Sequence, residues 1–128
     1  MHCSYLVFVT VVLTAHSVLS LTYEEIIAAC KKENDFDGDV QKLDYNDSAF
    51  PKAAKCALAC TLEKYEVFKE DGSICRKKEK EFVEKVVEEE DLKKKFLKAI
   101  DECDVKAKAD KCETAFEFVK CKKTKAGV

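Results

Sequence analysis

Apolar residues recur every three to four positions through most of the chain, which is the periodicity of an amphipathic helix. The clearest case lies near the carboxyl end, where positions i, i+3, i+4 and i+7 are Cys112, Ala115, Phe116 and Val119. We find no segment in which apolar and polar residues alternate, as they do in a half-buried strand. The pattern therefore predicts an all-α fold, a compact bundle of about six helices.

Local signals set the expected limits of these helices. Thr22, followed three residues later by Glu25, forms a capping-box pattern that opens the first helix, and the turn-forming residues 34–39 end it. The only proline, Pro51, stands where the first turn of a later helix tolerates it. The remaining helices are expected, in order, over about 39–45, 51–70, 76–88, 91–100 and 109–122.

The amino-terminal segment has the composition of a secretion signal. Residues 5–14 are almost entirely apolar, and no Lys, Arg, Asp or Glu precedes Glu24. Val18-Leu19-Ser20 offers a small-residue cleavage site, and the apolar run is shorter than the roughly 20 residues that span a membrane. We therefore predict a signal peptide over 1–20, a domain over 21–128 without membrane insertion, and a secreted, extracellular protein. An uncleaved membrane anchor is the alternative interpretation.

The composition of residues 21–128 argues against two functional classes. Both histidines and one of the eight cysteines precede residue 21, whereas all the acidic and basic residues follow it, with a formal net charge of −2. Opposite charges are interleaved along 76–98, which indicates a solvated helix face and not the basic stripe that nucleic-acid binding needs. Without histidine, the usual activation of a serine or cysteine nucleophile is absent. We therefore expect no enzyme activity, catalytic residue, cofactor, metal site or nucleic-acid partner.

Six cysteines form a ladder with set spacings: a long gap, C-x3-C, a second long gap, then C-x8-C-x8-C. In a small secreted chain such spacings indicate a disulfide framework, although they do not choose the pairing. The ladder consists of Cys30, Cys56, Cys60, Cys103, Cys112 and Cys121. Cys75 stands outside it, and we expect a free thiol on a monomer. The alternatives are another pairing or a dimer linked by an intermolecular Cys75–Cys75 bridge.

This ladder resembles that of the six-cysteine insect odorant-binding proteins, of the pheromone-binding and general odorant-binding type. Saposin-like and plant lipid-transfer proteins have different cysteine spacings. The resemblance covers nearly all of 21–128 and implies three interlocked disulfides around an apolar cavity: Cys30–Cys60, Cys56–Cys112 and Cys103–Cys121. It also implies a carrier that takes small hydrophobic ligands, such as odorants or pheromones, through aqueous lymph to a membrane receptor.

Large apolar residues are the candidates for lining such a cavity, because pockets for apolar ligands are themselves mostly apolar. The candidate ligand-binding residues are Leu58, Leu62, Phe68, Ile74, Phe82, Val86, Leu92, Phe96, Ile100, Phe116, Phe118 and Val119. In a domain of this size each of them could belong to the core instead, and we expect about half to line the cavity. Thr61 and Tyr65 are candidate hydroxyl donors to a ligand.

A second functional hypothesis is a disulfide-linked venom or defence protein whose core is tightly filled and whose surface binds a protein partner. The two hypotheses differ in one feature, since only the carrier needs a cavity of ligand size. The basic tail after Cys121 is too short to fill a cavity. With no histidine after residue 20, we expect the ligand affinity to change little between about pH 5 and 8.

Overall fold

The structure is a computed structural model that describes residues 21–128, so the signal peptide predicted over 1–20 lies outside the described residues. It contains five helices: α1 (Tyr23–Glu33), α2 (Lys52–Lys64), α3 (Arg76–Val86), α4 (Glu90–Glu102) and α5 (Lys111–Ala126). Within 21–128 there is no strand, only an isolated bridge between Phe68 and Ile74. The predicted all-α fold is confirmed, with one helix fewer than the approximate number expected.

Side-chain caps begin the first and last helices. In α1 the Thr22 hydroxyl accepts a hydrogen bond from the Glu25 amide at 3.1 Å, and the Glu25 carboxylate accepts one from the Thr22 amide at 2.8 Å. This is the predicted capping box. Asp110 caps α5 by accepting from the Cys112 amide at 2.8 Å. Helix α5 runs beyond its predicted end at 122 and stops where Gly127 adopts a left-handed conformation, with φ of 77°.

The helix predicted over 39–45 is wrong, because this segment forms turns instead. The carboxylates of Asp39 and Asp44 each accept a hydrogen bond at 2.9 Å from the backbone amide two residues further on. Such local bonds compete with helical hydrogen bonds for the same backbone groups. The turns nevertheless bury Val40 and Tyr45, and the Tyr45 hydroxyl donates to the Val40 carbonyl at 2.9 Å.

The helix predicted over 51–70 is shorter than expected and ends at Lys64. Glu66 has a φ of 61°, in the left-handed region that helices do not use. The chain then turns back on itself, with the Lys69 amide donating to the Ser73 carbonyl at 2.8 Å and the Cys75 amide to the Val67 carbonyl at 2.7 Å. This turn leads directly into α3.

Three disulfides connect the helices in the pairs that the family resemblance implies. Cys30–Cys60 joins α1 to α2, Cys56–Cys112 joins α2 to α5, and Cys103–Cys121 joins the end of α4 to α5. Helix α5 is therefore linked covalently to two others, and it also makes its main packing contacts with the same two, α2 and α4.

The free thiol expected at Cys75 is wrong. The structure has no free cysteine within 21–128, and Cys75 is disulfide-bonded. The expectation came from the odd number of cysteines that follow residue 20. The side chain is fully buried at the start of α3, where its sulfur also accepts from the Lys78 amide at 3.3 Å.

The core has two adjoining parts. The larger lies between α2, α3, α4 and α5 and is centred on Leu62, Val83, Ile100 and Phe118. The smaller joins the turns after α1 to α2 and α5 through aromatic rings, with the ring centre of Phe116 lying 4.6 Å from that of Phe50 and 5.9 Å from that of Tyr45. Between these two parts the helices leave a pocket that is partly open to solvent.

Candidate ligand-binding pocket

The space between the helices is a pocket of about 630 Å³. This volume lies within the range of roughly 300–1,000 Å³ that is typical of small-molecule sites. All five helices contribute to its wall, together with the turns after α1 and the α3–α4 connection. The lining residues are Tyr23, Glu24, Ile27, Val40, Gln41, Tyr45, Leu58, Thr61, Leu62, Phe82, Val83, Val86, Val87, Glu88, Glu89, Leu92, Phe96, Val119, Lys122, Lys123 and Val128.

Seven of the candidate ligand-binding residues lie on this wall: Leu58, Leu62, Phe82, Val86, Leu92, Phe96 and Val119. They come from α2, α3, α4 and α5, so residues far apart in sequence meet around one space. Their contact with a ligand stays a prediction.

The other five candidates do not line the pocket. Ile100 and Phe118 are fully buried in the larger core. Phe116 belongs to the smaller core, while Phe68 and Ile74 form the isolated bridge before α3. Phe118 precedes Val119 on α5 by one residue, yet only Val119 lines the pocket. Helical periodicity alone does not say which face meets a cavity.

The wall includes residues that the sequence analysis missed. Val40 and Tyr45 reach it from a segment predicted as a helix, and Tyr23 from the first turn of α1. Lys122 was assigned to a basic tail. The helix predicted over 109–122 nevertheless includes it, and its spacing of three residues from Val119 places both on one face of that helix.

The hydroxyl groups of the wall are held within the protein. Thr61, a predicted hydroxyl donor, donates to a backbone carbonyl one helical turn earlier at 3.0 Å. Tyr65 is not a lining residue, and its ring packs 4.4 Å from that of Phe82. Burial raises the pKa of both Tyr23 and Tyr45 above the ordinary value, so these phenols are neutral at physiological pH.

One buried ion pair adjoins the pocket. Glu79 on α3 is fully buried, and its Oε2 is bonded to the ammonium of Lys122 on α5. The other carboxylate oxygen, Oε1, has no hydrogen-bond partner among residues 21–128. Burial raises the pKa of Glu79, and the charge of Lys122 opposes this shift without cancelling it.

Two further observations concern the kind of site. Nowhere in 21–128 do three side chains of the metal-binding types come together. No helix in the same part of the chain is both long enough and apolar enough to cross a membrane. The pocket itself has a mostly apolar wall with several polar groups, an arrangement suited to holding a small hydrophobic molecule.

Comparison with models of known protein families identifies the family of this chain. Residues 16–125 match the model of the PBP/GOBP family, the pheromone-binding and general odorant-binding proteins. The chain belongs to the PBP/GOBP family. The resemblance drawn from the cysteine ladder is therefore confirmed, and the three disulfides agree with the six-cysteine type. Proteins of the PBP/GOBP family are carriers of small hydrophobic ligands. Searches of curated proteins and of solved structures gave no match.

Proposed function

We propose that this PBP/GOBP protein is a secreted, non-enzymatic carrier that binds small hydrophobic molecules of the odorant or pheromone kind. The ligand occupies the pocket of about 630 Å³, and this pocket is the observation that carries the proposal. Burying an apolar ligand there releases about 25 cal/mol for each Å² of apolar surface removed from water. The carrier takes its ligand through aqueous lymph and releases it at a membrane receptor.

The cross-links support a persistent pocket. Cys56–Cys112 and Cys103–Cys121 hold α2 and α4, two walls of the pocket, against α5. Because these links restrict how far the helices can approach or separate, the space survives without a ligand to fill it. The disulfides also support secretion, since such bonds persist outside the cytosol, and we propose the division into a signal peptide over 1–20 and a mature domain over 21–128.

The alternative hypothesis, a surface-acting venom or defence protein, requires a tightly filled core. A pocket of about 630 Å³ favours the carrier over this alternative.

The test is a titration of the purified mature protein with an apolar fluorescent dye, followed by displacement with volatile alcohols, esters and fatty acids. We expect saturable binding in the micromolar range, which corresponds to about −8 kcal/mol. Leu92→Trp, which places a larger ring on the wall, should weaken dye binding. Leu21→Trp is the matched control, because Leu21 is exposed and outside the wall. A correctly bonded protein that shows no saturable binding would overturn the proposal.

A further inference from the structure

Two of the three hydroxyl groups on the pocket wall donate within the protein. The hydroxyls of Thr61 and Tyr45 donate to backbone carbonyls, at 3.0 and 2.9 Å. The side-chain amide of Gln41 donates to the hydroxyl of Tyr23 at 3.4 Å. An oxygen atom of a ligand gives up its hydrogen bonds to water when it enters such a pocket, and it needs a donor that is still open.

Lys122 supplies a donor that is buried and still open. Its ammonium carries three hydrogens, and among the described residues its only hydrogen bond goes to Glu79. The ammonium lies 5.5 Å from the ring centres of Phe96 and Phe118 and 5.8 Å from that of Phe82. Phe82 and Phe96 are themselves lining residues, so two of the three rings around the ammonium belong to the wall. A hydrogen bond from a charged donor in such surroundings is stronger than a neutral one.

Charge decides which acceptor suits this donor. Glu79 lies behind the wall and balances the charge of Lys122, so the pair has no net charge to offer an anion. The remaining charged side chains on the wall are three carboxylates, Glu24, Glu88 and Glu89, and one ammonium, Lys123. A ligand carboxylate would therefore enter a wall with an excess of negative charge, whereas a neutral acceptor meets no such repulsion.

We infer that Lys122 is the polar anchor of the pocket and that it selects apolar ligands with a neutral hydrogen-bond acceptor, such as an ester, a ketone or an aldehyde. This inference rests on the proposed carrier function and names its ligand class. The ligand's oxygen accepts from Lys122 while its hydrocarbon part lies against the apolar wall. Glu79 is a positioning residue that holds the ammonium in place from behind.

The experiment compares dye displacement by methyl laurate, laurate and dodecane, which share a hydrocarbon chain but differ in the acceptor. It uses the wild-type protein and the double variant Glu79→Gln/Lys122→Met, which removes the donor without leaving a buried charge. Lys120→Met is the control, because Lys120 lies on the same helix but not on the wall. Circular dichroism and thermal unfolding check that each variant is folded.

We expect the double variant to lose about tenfold in affinity for methyl laurate, the size of effect expected when a charged donor is lost. Its affinity for dodecane should change little, and Lys120→Met should behave like the wild type. The wild type alone should bind methyl laurate more tightly than laurate, a comparison that does not depend on a variant folding. Equal losses for methyl laurate and dodecane, or tighter binding of laurate, would overturn the role of Lys122 while leaving the carrier function intact. No displacement by any of the three would overturn both.

Discussion

Cys56 and Cys112 join α2 to the first turn of α5, and an ion pair lies directly beside their bond. Lys55 precedes Cys56, Glu113 follows Cys112, and their charged groups are 3.0 Å apart. A disulfide and a neighbouring ion pair therefore connect these two helices at adjacent positions. Of the three disulfides within 21–128, this one closes the longest stretch of chain, 56 residues, against 18 for Cys103–Cys121.

Removing this disulfide should destabilise the protein more than removing the shortest one. Replacing both cysteines of a pair by alanine typically costs about 2–5 kcal/mol, and the cost rises with the length of the closed loop. We expect Cys56→Ala/Cys112→Ala to lower the free energy of unfolding by about 1 kcal/mol more than Cys103→Ala/Cys121→Ala does. Urea denaturation without reductant measures both. The opposite order would show that strain or residual structure in the unfolded chain outweighs loop length.

Core and wall residues should respond differently to truncation. Ile100 is fully buried, so Ile100→Ala should cost about 2–5 kcal/mol of stability and leave ligand affinity nearly unchanged. Leu92 is only half-buried and lines the pocket, so Leu92→Ala should cost less stability and weaken ligand binding. Urea denaturation and dye displacement on the same preparations separate the two effects. If both variants lost the same ligand affinity, the assignment of Ile100 to the core and Leu92 to the pocket wall would be wrong.

The free energy of unfolding should depend on pH through the protonation of Glu79. Its folded pKa is raised above the ordinary value of 4.5, so the folded state keeps this proton to a higher pH than the unfolded chain does. The resulting stabilisation is present below that value and is lost as the pH rises through the folded pKa. The stability of the wild type relative to Glu79→Gln should therefore fall as the pH increases from about 4.5. Urea denaturation at a series of pH values tests this, and a relative stability that rises over the same interval would contradict it.

Asp110 should give the opposite slope at lower pH. The ion pair with Lys52 and the hydrogen bond from the Cys112 amide lower its pKa below the ordinary value of 3.8. Its charge therefore stabilises the fold above that value, and the stabilisation is lost as the pH falls through the lowered folded pKa. Asp110→Asn keeps a capping side chain but removes the charge, so it should destabilise the protein near pH 7 and not near pH 2.

Asp104→Asn is the control for that comparison, since the Asp104 side chain is 83% exposed. High salt should also reduce the effect of Asp110→Asn, because exposed charges are screened. If Asp110→Asn destabilised the protein by the same amount at acid pH, the loss would come from a weaker helix cap and not from the missing charge.

Short-range signals predicted much of the fold. The capping box at Thr22 and Glu25 involves residues three apart, and it formed as expected. The helix predicted over 39–45 was wrong because the Asp39 and Asp44 side chains bind the nearby backbone. The periodicity of apolar residues carries no information about such bonds. The cysteine ladder predicted the pairing of distant cysteines only because a known family has the same spacings.

The candidate site was harder to predict because it depends on packing. Lys122 and Glu79 are 43 residues apart, and neither local pattern indicates that the other is its partner. Ile100 and Phe96 lie four apart on α4, yet only Phe96 lines the pocket. The difference between them is depth within the bundle, which is set by the neighbouring helices and not by spacing along one helix.

The disulfides described within 21–128 stand apart from the pocket, since none of their six cysteines is a lining residue. The framework that keeps the fold and the surface that meets the ligand are therefore separate sets of residues. A substitution on the wall changes the shape of the space without breaking a cross-link. Ligand preference can consequently diverge during evolution, one wall residue at a time, while the scaffold is inherited intact.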